Sequence, residues 1–90
     1  NALYHFWTRI LADDLGYSDH EEVCRALKIK LGMCRIEPDK ITGGRHWACP
    51  STADMNVPDM SAYMTRVEVF AASELNIVLP KSDDADNPYL

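Results

Sequence analysis

Met33-Cys34-Arg35-Ile36-Glu37-Pro38-Asp39-Lys40-Ile41-Thr42-Gly43-Gly44-Arg45-His46-Trp47-Ala48-Cys49 is the stretch that decides how this chain folds. On both sides of it, apolar residues recur with the 3.6-residue period of a helix. Inside it the period shortens toward two, and a Gly pair interrupts the run. Residues 33–37 and 45–49 therefore read as two short strands about a Gly-rich turn. Met33, Arg35 and Glu37 would share one face, with Cys34 and Ile36 on the other. A two-stranded ribbon is marginal in water, so it must pack against the flanking helices.

Upstream, Leu3, Phe6, Trp7, Ile10, Leu11 and Leu15 follow the spacing of an amphipathic helix, and Gly16 is placed to stop it. Ser18 and Glu21 have the spacing of a capping box that starts a second helix with Val23, Leu27 and Leu31 inward and Gly32 at its end. Downstream, Ser51 to Met55 is a polar connector. Asn56 caps a third helix, Pro58 lies in its first turn, and Met60, Tyr63, Met64, Val67, Ala71 and Leu75 form its stripe. Asn76 ends it, and Ile77 to Pro80 leaves in extended form. The fold class is mainly α: three helices with a small two-stranded β-ribbon between helices two and three. Residues 1–80 form one domain with the ribbon at about 33–49, and 81–90 is an acidic, Pro-containing flexible tail. Asn1 runs straight into helix without a preceding Met, which reads as a chain trimmed upstream.

Ninety residues with 47% hydrophobic and 26% charged content suit one soluble domain with a modest core. The formal charge is −5, which opposes nucleic-acid binding driven by net charge alone. The charge is uneven, however. Residues 1–24 carry one base against five acids, 25–49 six bases against two acids, and 50–90 two bases against seven acids. A basic island thus sits between acidic flanks. Lys28, Lys30, Arg35, Lys40, Arg45 and His46 surround Trp47, and Gly43-Gly44 lets backbone approach a ligand. Cations that track phosphates beside an aromatic that stacks on a base are how single strands are gripped. These seven side chains are the candidate nucleic-acid-binding residues, on the premise that the cations gather on one exposed ridge. The competing reading is a solvated loop with Trp47 packed on the core.

Other chemistry finds little footing. No Ser-centred elbow, Gly-rich phosphate loop or H-E-x-x-H occurs, and Asp13-Asp14 and Asp83-Asp84 are adjacent rather than spaced to face each other. We expect no enzyme, no catalytic residue and no cofactor. Cys34, His46 and Cys49 could form part of a zinc-stabilised module, with Cys24 or His20 as a fourth ligand, but no paired C-x-x-C supports it. Three cysteines, no signal peptide and no apolar run near the ~18 residues of a membrane span read as reduced thiols in a cytoplasmic protein. The aromatic start of helix one and Met60 and Met64 read most simply as core, with self-association as a second use.

The order of these features resembles a known family. Asn1-Ala2-Leu3-Tyr4-His5-Phe6-Trp7 leads to a capped helix ending in Leu27-Lys28-Ile29-Lys30-Leu31. A variable basic hairpin, Pro50-Ser51-Thr52, and a helix closing on Phe70-Ala71-Ala72 before Asn76-Ile77 follow. The pattern is similar to the C-terminal helical part of phage recombination proteins of the NinB/Orf kind, found in lambdoid phages and prophages. That resemblance implies a recombination accessory protein in the bacterial host cytoplasm. It would bind single-stranded DNA with little sequence preference, act as a homodimer and cooperate with single-strand-binding protein. The alternative is a dimeric protein–protein interaction module that engages a host replication or repair protein.

Overall fold

Asn1 starts the first helix by accepting the Tyr4 backbone N–H on its Oδ1 at 3.1 Å, which satisfies one of the donors every helix start leaves open. The computed structural model describes residues 1–81, so the acidic tail expected over 81–90 lies outside them except for Lys81. Helix α1 runs Ala2–Leu15. Gly16 ends it at φ +81, and Tyr17 N–H reaches back to Ala12 C=O at 2.9 Å. This left-handed stop is open to glycine at no steric cost. The face α1 buries carries Tyr4, Phe6, Trp7, Thr8, Leu11 and Ala12. It is therefore rotated from the expected stripe: Leu3 and Ile10 are half-buried and Leu15 is exposed. Tyr4 and Thr8 take the inner positions because their polar atoms find partners there. Thr8 Oγ1 donates to His5 C=O at 2.9 Å, and the Tyr4 and Tyr63 hydroxyls share a hydrogen bond of 3.0 Å. Burial pushes both phenols above the ordinary tyrosine range, and for Tyr4 the bond to Tyr63 adds to it.

Helix α2, His20–Lys30, begins one residue later than the capping box expects. Asp19 is the cap, its Oδ1 accepting Glu21 N–H at 2.9 Å. A carboxylate offers that donor a full charge at the positive end of the helix, which the Ser18 hydroxyl does not. Val23 and Leu27 are buried, with Cys24 and Leu31 packed beside them. The ribbon follows: β1, Arg35–Pro38, pairs antiparallel with β2, Arg45–Ala48. Both strands are shorter than the sequence suggests, because Met33 turns into the core instead of extending β1. A 3-10 turn at Thr52–Asp54, capped by Ser51, leads to α3, Val57–Glu74. Asn56 caps α3 through Oδ1 at 2.8 Å from Asp59 N–H, with Pro58 in the first turn as expected.

Helix α3 buries Met60, Tyr63, Met64, Val67 and Ala71. Asn76 takes φ +57, and Ile77 N–H closes onto Ala71 C=O at 2.9 Å. The segment after it does not simply leave. Leu79 is buried in the core, and Pro80 C=O accepts the Trp7 indole N–H at 2.6 Å. The extended return therefore straps α3 back over α1. Arg66 of α3 also donates to Leu31 C=O, joining α3 to the end of α2. Phe6, Trp7, Met60 and Met64 are core, as their simplest reading has it.

The reading of three reduced thiols is overturned. Cys34 and Cys49 form a disulfide, leaving Cys24 as the free thiol among the described residues. The register explains the pairing. Arg35 faces Ala48, so the next pair outward is Cys34 with Cys49, and their Cα atoms stand 4.3 Å apart. Adjacent partners across an antiparallel pair bring their side chains together in this way. The same bond removes the donors that a Cys34–His46–Cys49 zinc site needs. Among the described residues no group of three or more His, Cys, Asp or Glu could hold a metal ion. Among them, too, no helix is long and apolar enough to cross a membrane.

Candidate nucleic-acid interface

Asp39 builds the tip of the ribbon. Its Oδ1 accepts the backbone N–H groups of Ile41 at 2.9 Å and Thr42 at 3.1 Å. Its own N–H donates to Gly44 C=O at 2.8 Å, and Gly43 N–H returns to Asp39 C=O at 2.9 Å. Gly43 sits at φ +79, where a side chain would strain the turn. Those two N–H groups, Thr42 first, hold the Asp39 carboxyl below its ordinary 3.8, and His46 adds to the effect. A depressed folded value makes the charged turn's contribution complete above the ordinary value. It is lost as pH falls through the lower folded one. Acidification from about pH 5 to about pH 2 is therefore expected to move the Ile41 and Thr42 amide NMR resonances toward unstructured positions, with α1 and α3 unaffected. Resonances that stay in place would show that the turn holds without the charge.

The register divides the ribbon's side chains between two faces, since partners and alternate residues point the same way. Ile36, Pro38, Arg45 and Trp47 share one face with the disulfide; Arg35, Glu37, His46 and Ala48 share the other. On the first face Ile36 and Trp47 are direct cross-strand partners, 53% and 39% exposed. The indole is therefore not sealed in the core. Beyond them Ile41, at the tip, is 96% exposed. Arg45 lies on the same face as Trp47, and Lys40 projects from the turn; among the described residues neither makes an ion pair. On the second face Arg35 Nε donates to Glu37 Oε1 at 2.7 Å, and His46 Nδ1 lies 3.8 Å from Asp39 Oδ2. Exposed pairs of this kind are worth only ~0–1 kcal/mol, so a phosphate could displace the carboxylate.

The two lysines of α2 part company. Lys28 lines a cavity at the root of the ribbon beside Cys49, whereas Lys30 lies by an apolar groove with Leu11, Leu15 and Phe70. Two residues apart on a helix, they point to opposite sides. The six cations therefore do not form one ridge. Arg45 and Trp47 share a face with Ile36; Arg35 and His46 lie on the opposite face; Lys40 is in the turn, Lys28 lines the cavity below, and Lys30 is elsewhere. Sequence reasoning passed over two contributors. Ile36 follows from counting outward from the turn to the partner of Trp47. Arg25 stands one turn before Lys28 on α2, and its guanidinium donates to Trp47 C=O at 3.4 Å, tying β2 to the helix. No family model, curated protein or solved structure matches this chain.

Proposed function

We propose that this protein is a non-enzymatic binder of single-stranded DNA that grips the strand on the Trp47 face of its ribbon. The observation that carries this reading is Trp47 itself. It is a part-exposed indole on a solvent-facing strand, paired with Ile36 and sharing its face with Arg45, with Lys40 in the adjoining exposed turn. An aromatic platform with cations for the neighbouring phosphates suits any base, because every base has a π-face. The −5 charge of the whole chain keeps such contact local to the ribbon. With the resemblance to NinB/Orf proteins, this supports a role as a phage-type recombination accessory protein, a homodimer working beside single-strand-binding protein.

The test is retention of a labelled oligothymidylate at low salt. Binding should weaken as salt rises, with a logarithmic slope of about −0.7 for each phosphate engaged. Trp47→Ala should lower affinity by ~1–3 kcal/mol, and Arg45→Ala should flatten the salt slope. An oligonucleotide that passes through unretained at low salt, or that binds Trp47→Ala unchanged, sinks the reading. A second reading is favoured by the apolar groove of about 240 Å³ lined by Leu15, Tyr17, Phe70 and Leu75. It is a protein–protein module engaging a replication or repair protein, and it predicts association that survives high salt.

A further inference from the structure

At the root of the ribbon, α1, α2 and the segment after β2 form an open pocket of about 310 Å³ whose lining includes His5, His20, Arg25, Lys28, Cys49 and Thr52. Its charge is one-sided. Arg25 and Lys28 are permanent cations with no ion pair among the described residues, and the His5 and His20 imidazoles line the cavity beside them. Glu21 is the one carboxylate on its lining. The two imidazoles stand edge to face, 6.0 Å between ring centres. His20 Nδ1 is buried with no hydrogen-bond partner. Burial, together with positive neighbours that include His20 and Arg9, lowers the pKa of His5. Two permanent cations against a single carboxylate leave this concavity net positive, which favours an anion there.

We propose that this cavity is a phosphate-binding site, with charge from Arg25 and Lys28 and a hydrogen bond from the Thr52 hydroxyl. The donor set suits phosphate rather than carboxylate. A guanidinium fork and an ammonium from α2 and a hydroxyl from the 3-10 turn fit an anion with oxygens in several directions. The phosphate has two possible sources: a small free phosphate, or the terminal phosphate of a nucleic-acid strand. The site stands independently of the ribbon reading, and only the second source rests on it. In that case Arg25, which touches both the cavity and β2, joins strand end and ribbon into one surface.

The direct test titrates the full chain with inorganic phosphate at matched ionic strength, following the His5 and His20 ring resonances by NMR. A saturable shift with a dissociation constant on the order of 1 mM is expected, and about tenfold weaker binding in the Arg25→Gln/Lys28→Gln double variant. Both residues lie outside the core, so the variant should fold, as its circular dichroism would verify. No saturation by ~50 mM phosphate, or an identical curve in the folded double variant, overturns the site. The second arm compares oligothymidylates with and without a 5′-phosphate. Binding about tenfold tighter with the phosphate, lost in the double variant, assigns the strand end. Equal binding, while inorganic phosphate still saturates, assigns the free ion. Should neither oligonucleotide bind, the ribbon reading fails and the inorganic titration still judges the cavity.

Discussion

Leu11→Ala is expected to lower the unfolding free energy by about 3–5 kcal/mol. Leu11 is fully buried on the inner face of α1, in the core shared with α2, α3 and Leu79. Truncation removes the transfer free energy of the lost carbons and leaves a void that the helices can close only in part. A domain of this size holds roughly 4–12 kcal/mol in all, so the variant should sit near the edge of unfolding at room temperature. Urea titration checks it. With a slope near 1 kcal/mol per molar, the midpoint should fall by about 3–5 M, while Leu11→Met should move it by little more than about 1 M. An alanine variant that kept its midpoint would mean that the core is loose enough to refill the site.

Cys34→Ala/Cys49→Ala should have the next largest effect. The bridge spans 15 residues, and closing a loop of that length restricts the unfolded chain by about 3 kcal/mol in the loop-entropy account. For a domain of this size the melting temperature should drop by about 12–24 °C. The ribbon should suffer most. Its two four-residue strands present mostly exposed side chains, and an isolated ribbon is barely stable in water. Hydrogen exchange should quicken over residues 35–48, and dithiothreitol should reproduce both effects in the native chain. Faster exchange confined to the ribbon, with unchanged melting, would show that it opens independently of the helices.

What the sequence discloses here is what its local chemistry governs. Gly16, Asn56, Pro58 and Asn76 mark helix ends because their conformations and caps depend on neighbours a few residues away. The change of period between Gly32 and Pro50 locates the ribbon for the same reason. Ser18 and Asp19 both suit a cap, so pattern alone could not choose between them. The disulfide stayed hidden because three cysteines allow three pairings, and only the register set by the Asp39 turn makes Cys34 and Cys49 partners. That register also splits Arg35 and His46 from Arg45 and Trp47, so linear charge counting overstated the ridge. The strap was illegible because it depends on a hydrogen bond between residues 73 apart.

That strap bears on how the chain is made. Trp7 is made more than seventy residues before its indole partner, Pro80, and the plug Leu79 is also among the latest of the described residues to be added. Helices α1 and α2 can pair while synthesis continues. The core, however, stays open on the Trp7 side until nearly the whole domain has cleared the exit tunnel. A released chain truncated near residue 76 should therefore remain sensitive to protease, and one that extends through Lys81 should resist it.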